Sequence, residues 1–78
     1  PTVSDRVEAA RAHLVHSLEW KGERLGVVEM RRHYANYFRG LPHFKQHRWV
    51  LVTEENPVAL HLELDKVAQT YADGIPNA

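Results

Sequence analysis

The placement of glycine and proline constrains this chain more than any other feature of its sequence. Gly22, the run Gly40-Leu41-Pro42, the pair Asn56-Pro57 and the run Gly74-Ile75-Pro76 divide it into four segments. Glycine readily takes the left-handed conformation that closes a helix, and proline is tolerated in the first turn but not beyond it. Within each segment the apolar residues recur at helical spacing. Ser4 is expected to cap the first helix, with Asp5 and Glu8 in its first turn. Val7, Ala10, Leu14 and Leu18 then form one stripe, and Gly22 ends it. The second helix is expected from Glu23 to Arg39, with Val27, Met30, Tyr34, Tyr37 and Phe38 on its apolar face. Gly26 falls inside this pattern at a cost of about 1 kcal/mol relative to alanine, which favours a start one turn later.

Pro42 is placed as the first residue of the third segment, with Phe44, Arg48 and Leu51 along one face. Trp49 to Thr53 is β-branched and aromatic enough to read as a strand. No second strand is available to pair with it, and an isolated strand leaves its backbone groups unsatisfied, so a helix is preferred. The fourth helix has the clearest signals: Asn56 as cap, Pro57 in the first position, Leu60, Leu64, Val67 and Tyr71 on one face, and Gly74 with Pro76 as the stop. Short connections between amphipathic helices imply an all-α fold, a small antiparallel four-helix bundle forming a single domain over residues 1–78. A chain of 78 residues buries only about 60% of its unfolded surface and is stabilised by a few kcal/mol.

The formal charge is zero, but it is unevenly spread. Residues 1–20 carry Arg6 and Arg11 against Asp5, Glu8 and Glu19. Residues 21–48 carry Lys21, Arg24, Arg31, Arg32, Arg39, Lys45 and Arg48 against only Glu23 and Glu29. Residues 49–78 carry Lys66 against Glu54, Glu55, Glu63, Asp65 and Asp73. The middle third is therefore strongly basic, and Trp20, Tyr34, Tyr37, Phe38 and Phe44 lie among its cations. Cations interleaved with aromatics on helical spacing point to a surface that meets phosphate. Arg32, Asn36 and Arg39 share one side of the second helix, away from Tyr34. Two readings stay open: a solvated face with Arg31 held in an ion pair, or phosphate contact through Arg32 and Arg39, extended by Lys45 and Arg48.

Other chemistries have less behind them. His13 with His16, and His43 with His47, stand at spacings that place two imidazoles on one helix face. A catalytic zinc usually takes three protein ligands, however, and neither HExxH nor any cysteine is present. Ser4 and Ser17 occupy no nucleophile elbow, there is no Cys–His pair, and the glycines match no dinucleotide or triphosphate loop. This chain is expected not to be an enzyme by itself, to have no catalytic residue, and to hold neither metal nor cofactor. The absence of cysteine fits a reducing compartment, and no apolar run or leader pattern suggests a membrane. A cytoplasmic monomer is expected. Opening at Pro1, the chain reads as a processed or excised piece. Trp20 is expected as a partly buried aromatic at the bundle edge, or as part of a seam against another domain. Leu62 lies opposite the apolar stripe of the fourth helix.

The segments Gly22-Glu23-Arg24-Leu25-Gly26, Met30-Arg31-Arg32-His33-Tyr34 and Tyr37-Phe38-Arg39-Gly40-Leu41-Pro42, followed by Lys45 and Arg48, together resemble the C-terminal helical domain of tRNA-dihydrouridine synthases, especially the bacterial B-type branch. The resemblance covers most of the chain and is strongest over residues 18–53. It implies a tRNA-binding part of a larger enzyme, whose N-terminal TIM barrel binds FMN and reduces a tRNA uridine with NADPH. The barrel, its cysteine and its flavin site have no counterpart in these residues. What the resemblance carries over is RNA contact, or support for it, by Arg31, Arg32, His33, Tyr37, Arg39, Lys45 and Arg48, with tRNA and the barrel as partners. Tyr37 also falls on the apolar stripe and could position its neighbours. The runner-up is a small helical protein–protein interaction module, in which the acidic last third meets the basic middle of a partner or a second copy.

Overall fold

A computed structural model describes residues 1–76. Four helices follow one another with no strand among the described residues: α1 (Val3–Lys21), α2 (Glu23–Tyr37), α3 (Lys45–Thr53) and α4 (Pro57–Thr70). The fold is a small all-α helical bundle. Cross-helix contacts fix its directions. Residues 6, 13 and 17 of α1 meet residues 39, 37 and 26 in or just after α2. Arg11 of α1 meets His61 and Asp65 of α4, while residues 1–4 share a cleft with Ala68 and Tyr71. His47 of α3 meets Glu63 of α4, while Pro42 before α3 meets Tyr71 after α4. Each of these pairs runs antiparallel, and α1 packs most extensively on α2.

The caps explain most of the boundaries. α1 begins two residues earlier than Ser4 would have it, because Thr2 and Asp5 form a reciprocal box. The Asp5 N–H donates to Thr2 Oγ1 and the Thr2 N–H donates to Asp5 Oδ2, both at 3.0 Å. Two otherwise orphaned amides are satisfied at once, which a cap at Ser4 could not match. These bonds also hold the Asp5 carboxyl below its ordinary pKa. α4 starts as its sequence suggests, with Asn56 Oδ1 accepting from the Val58 N–H at 2.8 Å and Pro57 next in line.

Pro42, by contrast, does not open α3. Residues 38–44 form a compact turn, and the helix starts at Lys45. The Tyr71 hydroxyl donates to the Pro42 carbonyl at 2.5 Å, and the rings of Phe38 and Phe44 pack at 5.1 Å. His43 takes φ 61° there, a left-handed conformation uncommon for a side-chain-bearing residue. α2 accordingly stops at Tyr37, short of Arg39. His43 is left outside any helix, so it shares no helix face with His47.

The core collects Val7, Ala10 and Leu14 of α1, Val27, Met30 and Tyr34 of α2, Leu51 of α3, and Leu60, Leu64 and Val67 of α4, closed by Phe38, Phe44 and Tyr71. Leu18 is only partly buried against it. Gly26 is buried where α2 crosses α1. A Cβ at this position would stand 2.8 Å from both Leu18 Cα and the Ser17 carbonyl oxygen. The Ser17 hydroxyl donates to the Gly26 carbonyl at 3.1 Å across the same crossing. The glycine thus belongs inside the helix, and α2 starts at Glu23 rather than a turn later.

Gly26→Ala should destabilise the domain. Overpacking of backbone against backbone costs about 1–3 kcal/mol and outweighs the roughly 1 kcal/mol that alanine gains in helix propensity. A net loss of about 1 kcal/mol would lower the melting temperature by about 4–8 °C. A melt at or above that of the unsubstituted chain would show that the crossing is not tight.

Candidate nucleic-acid interface

Because neighbouring helices run antiparallel, one end of the bundle gathers the start of α1, the end of α2, the 38–44 turn, the start of α3 and the last turns of α4. Arg6, Arg39, Lys45, Arg48 and Lys66 all lie toward this end, together with Asp5, Glu8, Glu63, Asp65 and Asp73. Of these acids Glu8 and Asp65 pair with Arg11 and Glu63 with His47. None of the five cations is in an ion pair among the described residues. They occupy two flanks. Arg6 and Arg39 line a cleft with Asn36 and Tyr37. There the Arg6 guanidinium donates to the Arg39 carbonyl at 3.0 Å, and Arg39 donates to Asn36 Oδ1 at 2.9 Å. Lys45, Arg48 and Lys66 line the groove between α3 and α4. The other end carries Glu19, Glu23, Glu54 and Glu55 with Lys21 and Arg24.

The seven residues singled out from the sequence are thus divided. Arg39, Lys45 and Arg48 are exposed at the basic end. Arg32 is exposed but paired with Glu29, which also meets Lys21 at 3.5 Å and His33 at 3.6 Å. His33 and Tyr37 are half-buried along the α1–α2 seam around His13. The His13 and His33 rings lie 4.5 Å apart, and His13 Nδ1 is hydrogen-bonded to the Tyr37 hydroxyl at 2.8 Å. Tyr37 therefore orders a seam rather than standing free.

Arg31 turns to the opposite flank of α2, into a cleft with Arg24 and Glu55. It makes no ion pair among the described residues, contrary to the solvated-face expectation; Arg32 takes that role instead. Its Nε is buried without a hydrogen-bond partner among the described residues, as is the Tyr34 hydroxyl. Burial pushes the Tyr34 phenol up to about 12, although the nearby Arg31 charge pulls the other way.

Sequence reasoning missed Arg6 and Lys66, which come from the two acidic thirds of the chain and reach the basic end only through topology. It also missed the pairing of His47 with Glu63. His47 Nδ1 lies 2.6 Å from Glu63 Oε2, and His47 Nε2 lies 3.3 Å from the Thr70 hydroxyl. This pair sits largely out of water and ties α3 to α4. Trp20 is 77% exposed rather than partly buried, with its ring nearly parallel to His16.

Among the described residues no group of three or more His, Cys, Asp and Glu side chains is placed to hold a metal ion. No helix there is long and apolar enough to cross a membrane. Comparison of the chain with models of known protein families, with curated proteins and with solved structures yields no match.

Two histidines are held toward their neutral form. Burial lowers the His13 pKa, helped by His33 and His16 and opposed by Glu29. Burial and then the Arg11 charge lower that of His61, against Asp65 and Glu8. Arg11 donates to His61 Nδ1 at 2.9 Å, so that nitrogen carries no proton. At these two sites the unfolded chain binds protons more readily than the folded one as pH falls below about 6.5, so both contribute a loss of stability over that range. Melts at about pH 7 and about pH 5 should show a lower melting temperature in acid, before most carboxylates titrate. The His13→Asn variant should lose part of that slope. A flat profile would show that these imidazoles protonate freely in the fold.

Proposed function

We propose that this domain binds structured RNA through the basic end of its bundle, as the tRNA-gripping helical domain of an FMN-dependent tRNA-dihydrouridine synthase. The observation that carries the reading is the collection of Arg6, Arg39, Lys45, Arg48 and Lys66 at one end, unpaired with acids among the described residues. Structural ion pairs would use such cations up; an electrostatic footprint for a phosphate backbone keeps them free. Structured RNA is read chiefly by shape and phosphate contact, which needs no deep cleft. The resemblance over residues 18–53 supplies the particular family, in which a barrel elsewhere in the protein would hold FMN, take electrons from NADPH and reduce a flipped uridine. A base inside folded RNA reaches such a centre only when the surrounding backbone is held.

The protein-interaction reading has one observation in its favour. Trp20 and Leu25, both largely exposed, flank the Gly22 turn at the end opposite Arg39, Lys45 and Arg48, beside Lys21 and Arg24. In the tRNA reading that end would face the barrel. The acidic last third, which the runner-up would offer to a partner, is partly committed within the chain: Asp65 to Arg11 at 2.5 Å and Glu63 to His47.

An amide NMR titration with unmodified tRNA at low and at high salt tests the proposal. Shifts should cluster on Arg6, Arg39, Lys45, Arg48 and Lys66 and fade with salt. With about four phosphates engaged, log affinity should fall with log salt at a slope of about −3 to −4. Replacing Arg39 and Lys45 together by alanine should flatten that slope by about 1–2 while leaving the fold intact, since both side chains are exposed. Absence of shifts at low salt would remove the RNA reading and leave the Trp20 end as the functional surface.

A further inference from the structure

The open groove between α3 and α4 has a volume of about 910 Å³ and is lined by Lys45, Arg48 and Trp49 on one side and Glu63 and Lys66 on the other. Trp49 is 68% exposed, although α3 buries Leu51 completely two residues later. Lys45 stands one helical turn before Trp49 and Arg48 adjoins it, so ammonium, guanidinium and indole share one wall. The only carboxylate among the groove's lining residues is Glu63, which is itself buried and turned onto His47 Nδ1 at 2.6 Å. The groove's acid is thus engaged, while its three cations are in no ion pair among the described residues.

We propose that this groove is a stacking site for an unpaired nucleotide of an RNA strand. The base lies on the exposed face of Trp49, and the phosphates on either side meet Lys45, Arg48 and Lys66. The inference rests on the RNA-binding reading and adds a single-stranded element that backbone contact alone does not require. Charge selects a polyanion. The bare indole selects an unstacked base over a duplex, whose bases present no free face.

The Trp20→Phe variant leaves Trp49 as the sole tryptophan, and its fluorescence reports the groove. The probes are a short oligouridylate, an RNA duplex of similar length, unmodified tRNA and an oligoglutamate peptide, all at low salt. Quenching is expected with the single strand and with tRNA, and much less with the duplex. Trp49→Ala should weaken single-strand binding about tenfold or more, and Trp49→Phe should recover most of it, as for a stacked base. Circular dichroism checks that the alanine variant folds, as an exposed site allows. Single-strand and tRNA affinities unchanged in Trp49→Ala would overturn the stacking site while the basic end keeps its role. Binding of tRNA without binding of the oligouridylate would likewise overturn the stacking site alone, and failure of the unsubstituted chain to bind either RNA would overturn both. Quenching by oligoglutamate equal to that by the single strand would overturn the inference in favour of an acidic protein segment.

Discussion

The crossing of α1 and α2 at Gly26 sets the geometry on which the remaining packing depends. A single residue, Gly22 at φ 85°, joins the two helices, so they must turn back on each other at once. They can do so only if their backbones approach within side-chain range near the turn. Gly26 allows this by having no Cβ, and the Ser17 hydroxyl fills the contact with a buried hydrogen bond. From that point the register of the pair is determined along its length. His13 falls against His33 and Tyr37, and Arg6 falls against Arg39. The juxtaposition of two arginines at the far end therefore follows from a close approach near the start of the hairpin.

The second half of the chain is attached by a different device. The 38–44 turn reverses direction without a helix of its own and is held from outside by the Tyr71 hydroxyl on the Pro42 carbonyl. α3 is short and lacks a side-chain cap, so its own hydrogen bonds contribute little to its persistence. What holds it is tertiary: Leu51 and Phe44 in the core, and His47 on Glu63. A buried carboxylate is costly unless paired, and removing one member of such a pair leaves the other uncompensated. The same contact that fixes α3 against α4 thus fixes the spacing of Lys45 and Arg48 from Lys66.

Much of this was legible from residue pattern because local and global preferences agree. Asn56-Pro57 caps α4 as expected, and Leu60, Leu64, Val67 and Tyr71 are buried as their spacing demands. The strand-like run from Trp49 to Thr53 is helical, as the lack of a pairing partner implied. Where the reading missed, a contact distant in sequence decided the outcome. Pro42 was a reasonable first helical residue by local rules, but Tyr71 holds its carbonyl in a turn. Ser4 was an acceptable cap, yet Thr2 had Asp5 at the spacing for a reciprocal box. Gly26 looked like a defect while only its own helix was considered. Arg31 and Arg32, adjacent in sequence, part to different flanks of α2. The ion pair expected of the half-buried Arg31 is made instead by the exposed Arg32 with Glu29, because only the latter has an acid within reach on its own helix face. No local signal marks Arg6, Lys66 or the His47–Glu63 pair, because each acquires its meaning from a partner on another helix.

The zero net charge is compatible with a phosphate-facing surface because the bundle sorts its charges along its axis. An up-and-down topology interleaves the ends of four helices, so residues from the acidic first and last thirds reach the same end as the basic middle. Arg6 and Lys66 are carried there, while Glu54 and Glu55 in the α3–α4 connection are carried to the opposite end. Within about 8 Å, the screening distance at physiological salt, a partner senses the local set rather than the sum. Most of the acids near the basic end are engaged within the chain: Asp5 on the Thr2 amide, Glu8 and Asp65 on Arg11, and Glu63 on His47. Segregation of this kind has an electrostatic cost in self-repulsion among the gathered cations. A fold with no use for the patch could remove that cost by exchanging a cation for an acid at any of several exposed positions. Arg39, Lys45, Arg48 and Lys66 remain exposed and Arg6 half-buried, none of the five is in an ion pair among the described residues, and the exposed indole of Trp49 stands beside Lys45 and Arg48. Under the proposed RNA-binding reading the compensating charge is supplied by a bound polyanion.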